Sequence, residues 1–128
     1  MTAPLQLAVL LLPPCSPFGI GCFAEPFLQA NRLAGKTLYQ LRFYSWNGQP
    51  LPMAGGMRYP VSGALRDAEA CDQLFVLSEG VLPFSDAALC CHALALLASR
   101  VSLLGGVHCG AWWLASAGLL DGYHATIH

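Results

Sequence analysis

Residues 103–115, Leu-Leu-Gly-Gly-Val-His-Cys-Gly-Ala-Trp-Trp-Leu-Ala, constrain the fold more than any other stretch of this chain. An apolar run reaches a Gly pair, His108 and Cys109 follow, and Gly110 opens a second apolar run. The pattern predicts a buried strand that turns sharply into a helix, with His108 and Cys109 held at the bend. In open α/β sheets such a bend lies at the carboxyl end of a strand, where ligands and reactive groups gather.

The rest of the chain is consistent with that reading. Residues 6–12 form a near-continuous apolar run closed by Pro13, as in a central strand of a parallel sheet with both faces covered. Ser16-Pro17 predicts a helix start, a side-chain cap followed by Pro at the first position. Pro26 interrupts the helical spacing of Ile20, Phe23, Phe27 and Ala30, so a kink there, or a start at Glu25, is expected. Gly35 is the expected left-handed cap. Residues 38–46 read as a second strand and Asn47-Gly48 as a turn. The Gly- and Pro-dense residues 49–63 read as a small hairpin or edge excursion, with extended pieces at 50–53 and 57–61. Residues 67–71 are at most a short helical turn, and 72–77 another buried strand. Ser85 is expected to cap a helix with Leu89, Ala93, Leu96 and Leu97 inward. The pivot strand spans 101–107, its helix 110–117, and a last extended piece 123–128.

Strands alternating with helices define an α/β fold: a flavodoxin-like, three-layer α/β/α sandwich with a mostly parallel sheet. The length suits one domain over residues 1–128. The chain stops in an extended element, so an incomplete domain with further strands to follow is expected. With 55% apolar and only 10% charged residues, an oligomer or a covering segment is expected to bury surface. Six Lys and Arg scattered against seven Asp and Glu leave no basic stripe for nucleic acid. Residues 5–12 lack a preceding basic region and a cleavage site, and polar residues break up 89–120, so neither is read as a targeting or membrane segment. The expectation is a soluble, cytoplasmic protein with six free thiols and no disulfide framework. His124 and His128, four apart in an extended segment, would lie about 13 Å apart. No metal site and no cofactor is expected.

Several runs together resemble a known family. They are Ala30-Asn31-Arg32-Leu33-Ala34-Gly35, the strand 72–77, Gly106-Val107 with Gly110-Ala111, and Leu114-Ala115-Ser116-Ala117-Gly118-Leu119-Leu120-Asp121-Gly122, closed by Ala125-Thr126-Ile127-His128. The chain resembles the amino-terminal domain of AraC-type transcriptional regulators of the GlxA-like group. Those domains belong to the class I glutamine amidotransferase-like superfamily, together with PfpI-like proteases and the Parkinson-associated deglycase. The resemblance implies a sensor of a small-molecule effector, of the amino-acid class or of trimethylammonium compounds such as carnitine, choline and betaine. It also implies DNA binding only through a carboxyl-terminal helix-turn-helix domain, a pattern not present in these 128 residues. A homodimer is expected, with no membrane partner.

Catalytic members of that superfamily carry a nucleophilic Cys two residues before a Gly. Here His108 holds that position and Cys109 is its neighbour. Imidazole can act as a base but cannot supply the thiolate of covalent chemistry. The resemblance also matches His128 to the histidine beside the nucleophile. The family's carboxylate near the start of the first helix has no clear counterpart, Glu25 being the nearest. Ser78-Glu79-Gly80 stands where a small Gly-rich turn commonly supplies oxyanion-binding amides, and Glu79 would suit a cationic ligand. Trp112 and Trp113 would serve an aromatic cage or, for at least one of them, the core. The expected ligand-binding set is therefore His108, Cys109, Glu79, Gly80, Trp112 and His128, without catalysis. The alternative is a Cys-dependent hydrolase or deglycase using Cys109 with His108 or His128. For Cys109 an inert thiol packed behind the bend is the preferred reading, since buried free Cys is common.

Overall fold

The computed structural model describes residues 2–68 and 70–127. Strand β1 (Leu5–Leu11) is central, and its residues 7–11, with Leu12 just beyond it, are buried. Side chains alternate across a strand, so β1 feeds two cores. Ala8, Leu10 and Leu12 join one cluster, and Val9 and Leu11 the other. Each fully buried Leu or Val contributes about 1.5–3 kcal/mol of transfer free energy, and this double burial makes β1 the axis of the domain.

Helix α1 (Pro17–Ala34) leads from β1 to β2 (Tyr39–Ser45), which pairs parallel with it from Leu5↔Tyr39 to Leu10↔Tyr44. The Ser16 side chain caps α1 by accepting from Gly19 N, and Gly35 closes it at φ 67°, both as expected. Pro26, however, neither starts nor splits the helix, which runs through it for 18 residues. Ile20 and Phe23 before Pro26 pack in the core, Phe27 after it packs on Phe23 and Tyr39, and this burial outweighs the hydrogen bond that Pro26 cannot donate. Asn31 fastens the helix end to β2, accepting from the amides of Leu38 and Tyr39 while its own amide donates to Tyr39 O.

The Gly- and Pro-dense segment forms the expected hairpin, β3 (Leu51–Pro52) antiparallel to β4 (Arg58–Tyr59). It then returns to the main sheet as β5 (Gly63–Ala64), parallel to β2, an addition that two residues of sequence cannot signal. A 3-10 turn at Leu65–Asp67 stands a few residues before the turn expected at 67–71.

Strand β6 (Gln73–Ser78) pairs parallel with β1 on its other side, and β7 (Leu103–His108) pairs parallel with β6. The order is therefore β5-β2-β1-β6-β7. Helix α2 (Ala87–Ala98) connects β6 to β7, and α3 (Gly110–Ser116) follows β7. Cys90, Leu94, Trp113 and Leu114 fill the core opposite α1, which completes three layers. The sheet order reverses at β1 and β6, because the chain leaves β1 toward β2 and later returns to the far side of β1. In open α/β sheets that switch point opens a crevice at the carboxyl ends of the strands.

Three local expectations need correction. Ser85 does not cap α2: the cap position is Asp86, without a side-chain cap bond. Its carboxylate instead accepts the indole N–H of Trp46. The inward face of α2 is Cys90, Leu94 and Leu97, whereas Leu89 and Leu96 are 60% and 55% exposed. An Ala-, Leu- and Cys-rich helix is apolar all round, so periodicity alone does not fix its rotation. Strand β7 is not buried as expected; it lies at the edge of the sheet order with Leu103, Gly106 and His108 exposed.

Candidate functional site at the carboxyl ends of the strands

The bend at the end of β7 has the predicted shape. His108 sits at φ 56°, a left-handed conformation that costs a non-glycine residue about 1–2 kcal/mol. The surrounding glycines show what holds it there. A Cβ at Gly106 would stand 2.5 Å from the Ala111 amide nitrogen, and one at Gly110 1.8 Å from the Val76 carbonyl oxygen. Both contacts are with backbone, so α3 can lie this close to β6 and β7 only if side chains are absent. Cys109 N donates to Ser78 O, which locks the turn to the neighbouring strand.

At this elbow His108 is exposed and Cys109 is buried. Their side chains touch, with His108 Nδ1 3.2 Å from Cys109 Sγ. Cys109 has right-handed helical dihedrals as the first residue before α3, so the strained seat belongs to the imidazole alone.

The other predicted residues divide. Gly80 follows β6 in the turn beside the elbow and abuts Pro14, which a Cβ would approach to 3.0 Å. Glu79 does not stand free at a rim. Its carboxylate accepts from both the amide and the hydroxyl of Ser16, and its amide donates to Pro14 O. A carboxylate thus does sit at the start of the first helix, but it comes from the turn after β6. Sequence position pointed to Glu25 instead, which is exposed along α1 and accepts from Gln29. Next to this cluster, burial and, secondarily, the Glu79 carboxylate push the Cys15 thiol up to about 12. Trp113 is core, packed on Phe84, while Trp112 is 41% exposed and meets Trp113 edge-on at 5.2 Å. His128 lies outside the described residues.

A cavity lies elsewhere, two strands over from the elbow. A cleft of about 490 Å³ opens at the carboxyl ends of β1 and β2, lined by residues 11–13, 45–47, 49–52, 58 and 82–84. Of the residues named from the sequence, His108, Cys109, Glu79, Gly80 and Trp112 do not line it. Its walls come from segments that only the sheet order brings together, and the turn signal Asn47-Gly48 after Trp46 was the single local hint. Among the described residues no group of His, Cys, Asp or Glu is placed to hold a metal ion. All six Cys are free thiols, and no described helix is long and apolar enough to cross a membrane.

Comparison with known proteins gives the same architecture. A ThiJ/PfpI family protein from Pseudomonas syringae superposes with a TM-score of 0.68 at 18% identity, over 98% of this chain and 51% of that one. The fold is therefore the flavodoxin-like α/β sandwich that ThiJ/PfpI proteins share. An AraC family transcriptional regulator from Pseudomonas putida matches with a TM-score of 0.82 and 25% identity, over 98% of this chain and 67% of that one.

Sequence relatives identify the group. The HTH-type transcriptional regulator CdhR of Pseudomonas aeruginosa is 37% identical over 121 residues, 93% of this chain and 35% of CdhR. The regulator GlxA of Rhizobium meliloti is 32% identical over 105 residues, 81% of this chain and 32% of GlxA. An uncharacterised protein in the cpoL 5′ region of Streptomyces lividans is 35% identical over all of this chain and 91% of its own length. The chain is homologous to the amino-terminal part of AraC-type, GlxA-like transcriptional regulators. It spans about a third of the length of the named regulators. No family model matches it.

Proposed function

We propose that this domain senses a small metabolite for an AraC-type regulator and does so without catalysis. The observation that carries the reading is His108 at φ 56°. The strained elbow, with its glycines, is kept, while the residue presented by it is an imidazole that cannot form a thioester or hemithioacetal. A strained backbone persists only where surrounding packing enforces it, and here it presents an exposed hydrogen-bonding ring at the carboxyl edge of the sheet. His108, Gly80 and Trp112 would contact an effector of the amino-acid or quaternary-amine class, with Trp112 offering a partly exposed aromatic face to a cation. Glu79, its carboxylate engaged by Ser16, would act through the shape of the turn. Cys109 would support His108 from behind, and His128 would close the site as the family motif implies.

DNA contact would fall to helix-turn-helix units of the kind the relatives' names record. The exposed apolar residues Phe18, Leu89 and Leu96 motivate self-association as part of the same proposal.

A thermal-shift screen against amino acids and quaternary amines tests the reading. A ligand at a hundred times its Kd adds about 2.7 kcal/mol, a shift of roughly 10 °C for a domain of this size. No shift from any member of either class, with none in operator binding by a regulator carrying this domain, would refute it.

The His108–Cys109 contact favours a second reading, a Cys-dependent hydrolase or deglycase. It requires Cys109 to alkylate faster at neutral pH than the exposed Cys22, and turnover to vanish in Cys109→Ser. Labelling slower than at Cys22 would exclude it.

A further inference from the structure

The cleft lies at the carboxyl ends of β1 and β2, next to the switch point between β1 and β6, and not at the elbow. Its composition is specific. The walls are largely apolar, with Leu11, Leu51 and Leu82 beside the aromatic faces of Trp46 and Phe84. Among the described residues that line it, Arg58 supplies the one formal charge. An apolar pocket with a single guanidinium selects a ligand with one anionic end and an apolar body. A planar carboxylate matches the guanidinium fork in two parallel hydrogen bonds. A cationic headgroup would meet Arg58 with repulsion, and a dianion would leave its second charge among apolar walls.

The cleft is also preformed. Trp46 is held by its indole N–H donating to Asp86 at 3.0 Å and by Phe84, 6.4 Å away between ring centroids. The turn beyond it is closed by Ser45 Oγ donating to Gln49 O and by Gln49 N donating to Asn47 Oδ1. The Arg58 backbone stands opposite Pro52 in the hairpin, and its side chain is exposed. A site whose walls are fixed in advance loses little entropy on binding, and its volume falls within the range of ordinary ligand cavities, about 300–1,000 Å³.

We propose that this cleft binds a small monocarboxylate with an aryl or branched aliphatic body, its carboxylate on Arg58 and its body against Trp46 and Phe84. The site is separate from the elbow and does not depend on the reading given above for it.

The test uses the ¹⁵N-labelled protein and its three indole N–H signals, assigned through Trp46→Phe and Trp112→Phe. Phenylacetate is titrated against its neutral isostere phenylacetamide. Phenylacetate is expected to move the Trp46 signal saturably and leave that of Trp112 in place, with the amide binding at least about tenfold more weakly. Arg58→Gln removes the preference for the acid, and Arg58→Lys, which keeps the charge, restores most of it. Equal binding of acid and amide overturns the proposal, as does a preference that survives Arg58→Gln in a variant with native-like signal dispersion. So does a response at Trp112 without one at Trp46. Silence at Trp46 up to about 10 mM of both phenylacetate and 4-methylpentanoate overturns it too, that range covering the weakest affinities considered useful. The thermal-shift screen with amines and amino acids is unaffected by any of these results, so the two readings fail separately.

Discussion

Gly110→Ala puts the elbow to its most direct test. The added Cβ would lie 1.8 Å from Val76 O and 2.7 Å from Val76 C, whereas an ordinary carbon–oxygen contact is about 3.3 Å or more. Neither atom belongs to a flexible side chain, so relief requires moving the start of α3 roughly 1.5 Å away from β6. That movement loosens Trp113 and Leu114, both almost wholly buried. Overpacking a tight site costs about 1–3 kcal/mol, and partial loss of two large side chains from the core adds to it. We expect a loss of about 3 kcal/mol, a large share of the 5–15 kcal/mol typical of a domain. Urea unfolding reads it: with a slope of about 1.5 kcal/mol/M, the midpoint falls by about 2 M. Gly21→Ala is the control, because a Cβ there meets nothing within 4 Å, and in mid-helix it should stabilise by up to about 1 kcal/mol. A Gly110→Ala midpoint within about 0.3 M of the parent would refute the claim that backbone approach dictates glycine at the elbow.

Other outcomes follow from the same geometry. His108→Gly removes a left-handed cost of about 1–2 kcal/mol and adds a chain-entropy cost of about 0.5–1 kcal/mol. Urea unfolding should therefore show the variant equal to or up to about 1.5 kcal/mol above the parent, and a clear destabilisation would mean that the imidazole holds the elbow together. In timed alkylation at pH 8 with mass mapping, the exposed Cys22 should label long before Cys15 or Cys90. Burial, joined by Glu79 for Cys15 and by Cys91 for Cys90, pushes both thiols from 9.0 up to about 12. Because these two thiols hold their protons more tightly folded than unfolded, the stability they confer is full below about pH 9 and declines as pH rises toward 12. Base titration followed by circular dichroism checks this sign, and rising stability above pH 9 would contradict it. Glu79→Gln removes the secondary electrostatic cause at Cys15, so Cys15 alone should label faster while Cys90 keeps its rate.

Much of this architecture is legible in the residues themselves. The double-faced apolar run of β1, the Ser16-Pro17 start and Gly35 stop of α1, the hairpin around residues 50–61, and the bend at His108 all follow from local chemistry. Strand burial, cap geometry and a left-handed bend flanked by glycines leave signatures within a few residues of one another. Where apolar residues occupy every face, as in α2, the pattern carries no direction, and packing of Cys90 and Leu94 in one core with Trp113 and Leu114 chose which side turned inward. Pro26 looked like a break because local rules count only its missing hydrogen bond and not the core under its helix.

The sequence by itself therefore determined the class of fold, the family and the identity of the residue in the elbow seat. Tertiary structure alone decided the rest. It brought Glu79 from the turn after β6 to the head of α1, buried Cys109 behind His108, and left β7 at the sheet edge. It also joined Leu11, Trp46, Arg58 and Phe84 into one cleft. The physical reason is range. Caps, turns and periodic faces are properties of neighbouring residues, whereas a cavity is the space left among segments far apart in the chain, and only the order of the strands places them side by side.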